Sequence, residues 1–184
     1  MFKSLDEKRK AKEISLRYVF IAIIFWILTL SWIAVIFALS SDTGTESTQV
    51  SGSVMQFLNE LFSINIQDDY VLRKAAHASE FALLTILSYT ALSSTNKISS
   101  KTSYAESPVK LLRSDNEMNI IFTLWFTILN AIFDEYHQLF VNDREGTIVD
   151  VLVDIIGIVI VLIVIRIIFT IYMKFKGRTE VVYT

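Results

Sequence analysis

The sequence predicts an all-α integral membrane protein: a bundle of four transmembrane helices with an amphipathic extracytoplasmic segment between the first and second. Three observations carry that prediction. Hydrophobic residues make up 53% of the 184 residues and mean hydropathy is +0.49, too apolar for an ordinary soluble domain. Four apolar stretches are long enough to cross a hydrocarbon core, which takes roughly 20 helical residues. Lysines and arginines crowd the leader, the second connection and the tail, while the first connection has none, the asymmetry that orients short cytoplasmic segments.

A basic leader, residues 1–17, carries Lys3, Lys8, Arg9, Lys10, Lys12 and Arg17 ahead of the first stretch, Tyr18 to Leu39. Ala38-Leu39-Ser40 loosely fits a cleavage site, but the apolar run exceeds a usual signal core and reads as a retained anchor. The segment from Ser40 to Asp69 lacks Lys and Arg and falls outside. Within it Val50, Val54, Phe57, Leu58, Leu61 and Phe62 mark an amphipathic helix, capped by Ser51 or Ser53, that lies on the outer membrane face or covers the bundle. The second stretch runs from Tyr70 to Leu92, and a Ser/Thr/Lys-rich segment, Ser93 to Asn116, reads as a flexible cytoplasmic connector with Lys97, Lys101, Lys110 and Arg113. The third runs from Asn119 to Val141 and the fourth from Thr147 to Tyr172, joined outside by a short turn carrying Arg144. Residues 18–172 therefore form one transmembrane domain in the plasma membrane, and the tail, 173–184, with Lys174, Lys176 and Arg178, is cytoplasmic like the leader. Charges near one end make the second and third stretches weaker by hydropathy.

Composition removes some function classes. A net charge of −2, with cations in short blocks, argues against a nucleic-acid partner. Without cysteine there is no disulfide, thiolate nucleophile or thiolate metal site.

Ionisable residues inside a span are costly and face the bundle interior by default. Arg73, Lys74, His77 and Glu80 recur at intervals of three and four, along one helical face. Asn130, Asp134 and Gln138 form a second row with Glu135 beside it, and Thr147, Asp150, Asp154 and Gly157 a third. Counted inward at about 1.5 Å per residue, the acidic groups and His77 lie roughly 5 to 15 Å below the outer boundary, so they share one leaflet. Glu80, Asp134, Glu135, Asp150 and Asp154 outnumber Arg73, Lys74 and Arg144, and this acidic surplus needs protons, a cation or a ligand's positive group.

His77 with a carboxylate suits general acid–base work, and Arg73, Lys74 and Arg144 suit an anionic headgroup. A divalent cation on oxygen-rich ligands, a proton-coupled transporter or flippase, and a purely structural network of interhelical ion pairs use the same groups. His137, on another face, reads as interfacial; Arg166 reads as a snorkelling cation. Trp26, Trp32 and Trp125 read as packing or lipid-facing, and Gly157 as a point of close helix approach.

Lys74-x-x-His77-x-x-Glu80-Phe81-x-x-Leu84, then Asp134-Glu135-x-x-Gln138-x-Phe140-x-x-x-Arg144 and Asp150, resembles the VanZ-like family, as does the Phe37-x-x-Ser40-Ser41 exit from the first stretch with Ser47 and Ser51 following. The resemblance covers about residues 37–157. It departs at Asp154, where the family usually has Asn, and at Asn142-Asp143, where it often has Pro-Gly. The resemblance implies a membrane protein of the cell envelope, similar to an accessory protein of teicoplanin tolerance, that acts on or binds a membrane lipid or lipid-linked cell-wall precursor. His77, Glu80, Asp134, Glu135 and Asp150 would be its acid–base groups. Arg73, Lys74, Gln138, Arg144 and Asp154 would hold the ligand. It leaves open whether the protein is an enzyme, a transporter or a non-catalytic membrane partner of an envelope enzyme.

Overall fold

The computed structural model describes residues 14–62, 69–98, 108–144 and 146–181. The leader through Glu13, Lys101, and the side chains of Leu58, Phe62, Lys110, Arg113, Lys176 and Arg178 lie outside the described residues. Every described element is a helix: α1 Leu16–Ser40, α2 Gly44–Phe62, α3 Asp69–Lys97, α4 Pro108–Gln138 and α5 Ile148–Val181. Among the described residues two segments are long and apolar enough to cross a membrane, Leu16–Ser40 and Ile148–Phe175.

Helix α4 starts with the chain's single proline, whose missing N–H costs nothing in a first turn. The expected connector is largely helical, since α3 continues to Lys97 and α4 begins at Pro108. Helix α2 likewise starts earlier than its apolar pattern indicates. Glu46 N–H donates to Thr43 Oγ1 (3.3 Å), while Thr43 N–H donates to the Glu46 carboxylate (2.9 Å), a reciprocal cap. Ser51 and Ser53 are therefore not caps. They lie inside the helix and donate back to the Ser47 and Gln49 carbonyls (2.7 and 3.0 Å). Thr43 donates to the Glu46 carboxylate from both its N–H and its hydroxyl (2.8 Å), and these two bonds hold the carboxyl below the ordinary carboxylate range.

Helix α3 is the centre of the molecule and packs against each of the other four. Residue contacts fix directions. Ser15 N–H donates to the Ile98 carbonyl and Trp32 Nε1 to the Glu80 carbonyl (both 3.0 Å), so α1 and α3 are antiparallel. Lys74 pairs with Asp150 at the starts of α3 and α5, and Arg166 with Glu117 (3.1 Å) across α5 and α4. The order α1, α3, α4, α5 thus runs up, down, up, down. Ile36, Phe81, Leu84, Ala131, Ile158 and Leu162 form the buried core. Gly157 brings α5 onto α3, because a Cβ there would overlap the Ala78 carbonyl. Helix α2 packs on α3 with Val50, Val54, Phe57 and Leu61 exposed, so its apolar stripe does not simply cover the bundle.

Candidate functional site

The three polar stripes converge at one end of the bundle. On α4, Asp134 is fully buried; Ser40 Oγ at the end of α1 donates to its Oδ1 (2.6 Å) and Gln138 Nε2 donates to its Oδ2 (3.0 Å). The helical spacing of 134 and 138 produces the second bond, and the end of α1 supplies the first. Glu135, one residue on, accepts the Thr147 N–H (2.9 Å) and so fixes the start of α5, whose first turn is capped when Asp150 N–H donates to Thr147 Oγ1 (3.3 Å). Lys74 forms an ion pair with Asp150, both partly buried. His77 Nδ1 lies 3.7 Å from Glu80 Oε2, and neither atom has a hydrogen-bond partner among the described residues. Arg144 Nη2 donates to the Leu39 carbonyl (3.2 Å). One turn below Asp150, Asp154 is fully buried with both carboxylate oxygens unpartnered among the described residues, within electrostatic reach of Glu135, Asp134, Glu80 and Lys74.

Two clefts open beside this network. A polar one of about 400 Å³ is lined by Arg73, Lys74, His77, Gln138, Arg144 and Asp150, with Tyr70 and Thr147 at its rim. An apolar one of about 320 Å³ lies between α2 and α3, walled by Leu39, Val50, Val54, Leu72, Ala75 and Ala76, with Glu80 along it. Ser47, Arg73, His77 and Arg144 line both, so the clefts are continuous.

The VanZ/LLP1 family model matches residues 25–169, which spans α1 through most of α5. The chain belongs to the VanZ/LLP1 family. No curated protein and no solved structure matches it.

The site residues expected from the sequence divide by position. Arg73, Lys74, His77, Glu80, Gln138, Arg144 and Asp150 line a cleft, whereas Asp134, Glu135 and Asp154 line neither and reach a ligand only through neighbours. Asn130, in the same helical row, turns back to the Phe126 carbonyl (2.8 Å) and takes no part. The Asn142-Asp143 departure from the VanZ-like pattern has a conformational cost, since Asp143 sits at φ 58°, where glycine is at ease. As for a divalent cation, no three His, Asp or Glu side chains among the described residues converge as a metal requires. Ser40 and Gln138 engage the Asp134 carboxylate, Thr147 that of Glu135 and Lys74 that of Asp150, whereas both Asp154 oxygens have no partner among the described residues.

Sequence reasoning missed Ser40, Ser47 and Thr147 as site residues, although Ser40 and Ser47 stand in the VanZ-like exit signature and Thr147-x-x-Asp150 is a capping pattern. It also undervalued two indoles, for Trp32 ties α1 to the Glu80 backbone and Trp26 donates to Thr95 Oγ1 (3.1 Å). His137 lies outside the network, 3.0 Å from Ser41 Oγ and with its ring tilted against that of Phe37. Arg166 pairs with Glu117 at the surface of the bundle.

Proposed function

We propose that this VanZ-family chain is a four-span plasma-membrane protein with both termini cytoplasmic, whose outer-leaflet site takes a lipid bearing an anionic headgroup. The observation that carries this reading is the continuity of a cationic cleft with an apolar one through Ser47, Arg73, His77 and Arg144. An amphiphile places its phosphate in the first and its chain in the second. Arg73 is the principal anion contact: among the described residues it pairs with no carboxylate, while Lys74 is committed to Asp150 and Arg144 to Leu39. His77, touching both clefts, is the acid–base group nearest the phosphate, and Glu80 orients it or exchanges its proton. Asp134 and Glu135 act at one remove, by positioning Gln138 and the start of α5. A lipid-linked cell-wall precursor has this chemistry, which is how a member of the family would affect teicoplanin tolerance. A transporter reading rests on the same groups, and it requires activity only across a sealed bilayer.

Mass spectrometry of the purified chain with bound lipids tests the proposal. Long-chain phosphates should be retained over uncharged lipids of the same chain length. Arg73→Gln should weaken retention about tenfold, the loss of one charge-assisted bond of about 1.5 kcal/mol. His77→Ala should keep binding and abolish any turnover. Equal retention of charged and uncharged lipids by wild type would refute it.

A further inference from the structure

At the opposite end of the bundle a further cleft of about 470 Å³ is built from α1, α3, α4 and α5, and nothing in the reading above uses it. Its walls are the rings of Tyr18, Tyr89, Phe169 and Tyr172, and its floor is a pair of amides one turn apart on α4, Asn116 and Asn119. Both asparagines are buried, 3% and 4% exposed. The Asn116 carbonyl oxygen accepts the Tyr89 hydroxyl, and Asn119 Oδ1 accepts from Asn96 Nδ2 (2.6 Å). Asn116 Nδ2 has no partner among the described residues. A buried amide N–H₂ without an acceptor is costly, and the cleft beside it is large enough to hold one.

The lining selects the acceptor's chemistry. Lys97 and Asp115 are its charged residues and their formal charges cancel, while Lys97 lies over the Tyr18 ring, 5.7 Å from its centroid. The outer cleft, by contrast, has Arg73, Lys74 and Arg144 against Asp143 and Asp150, a surplus of one cation. Amides, a serine and phenols offer donors and acceptors together, and the ring faces suit the C–H side of a polyol. Tyrosines also favour headgroup depth in a membrane. We propose that this cleft is a second binding site, for an uncharged polyol such as a sugar or glycerol headgroup, with Asn116 Nδ2 donating to a ligand hydroxyl. The proposal is independent of the outer site.

The test is thermal unfolding of the full chain in a detergent without a sugar head, with added glucosyl diacylglycerol, plain diacylglycerol, phosphatidylglycerol or free glucose. Glucosyl diacylglycerol should raise the midpoint by about 2–4 °C at saturation. The shift should persist in Arg73→Gln and vanish in Asn116→Ala and in Tyr172→Ala, a rim residue 55% exposed whose loss leaves the core intact. An equal shift with free glucose would keep the site and assign it a soluble polyol. The proposal fails if plain diacylglycerol does as well, if phosphatidylglycerol does better, or if both cleft variants respond like wild type, in which case Asn116 holds only an ordered water.

Discussion

Asp134 shows how one buried carboxylate organises the site end of the bundle. With no exposure, it depends on Ser40 and Gln138 for hydrogen bonds, and Ser40 belongs to the helix that contributes no charge to the cluster. Ser40→Ala leaves one oxygen unsatisfied and should cost about 1–3 kcal/mol in denaturant unfolding of the solubilised protein. An unchanged midpoint would mean that the Ser40 bond contributes nothing. The charged members of the cluster were legible because each interrupts an apolar run at helical spacing, as His77, Glu80, Asp134 and Asp154 do. Ser40 was not, because a serine is cheap in a membrane helix and leaves no mark on hydropathy. Which carboxylates face a cleft was also hidden, since helical spacing puts Asp150 and Asp154 on one face but does not say that only Asp150 reaches the opening.

At the scale of elements, α2 and the turn between α4 and α5 meet at Gly44, whose N–H donates to the Asn142 carbonyl (3.3 Å) and where a Cβ would overlap the Asp143 carbonyl. The reciprocal Thr43–Glu46 cap holds α2 at that junction. Because the Glu46 pKa is depressed in the folded protein, its contribution is full above the ordinary glutamate pKa and disappears as pH falls through the folded value. A spin label on Gly52→Cys, in a chain with no native cysteine and at a position with open space, should therefore become more mobile as pH falls below the ordinary glutamate range. In a Glu46→Ala background the label should be mobile at neutral pH, and pH-independent mobility in the parent would refute the role of the cap. Asp143 occupies a left-handed backbone, so Asp143→Gly should stabilise the protein by about 1 kcal/mol in the same unfolding assay; destabilisation would mean that its side chain outweighs the strain. The cap was written in the sequence as Thr43-x-x-Glu46, but the apolar pattern starting at Val50 drew attention to Ser51 and Ser53 instead.

For the whole molecule, the four long helices were legible, but only two of them carry a clear membrane-crossing signal. Helices α1 and α5 pass a test of length and hydropathy, while α3 and α4 do not. The reason is positional. Helix α3 is enclosed by α1, α4 and α5 and has little need of an apolar surface, so Thr85 and Ser88 are wholly buried in it, as are Thr123 and Thr127 in α4. Each of Thr85, Ser88 and Thr127 donates to a carbonyl in its own helix, which makes the hydroxyl affordable away from water. In the proposed topology α3 and α4, which run beside α1 and α5 from the Lys74–Asp150 pair to the Arg166–Glu117 pair, cross with them and the site opens outside. Sided labelling of single cysteines tests this most directly. In intact cells Asn142→Cys should react with a membrane-impermeant maleimide, and Lys97→Cys should react only after permeabilisation. Reaction of both from outside would mean that only α1 and α5 cross, and the reverse pattern would place the cationic cleft on the cytoplasmic face, contradicting the account.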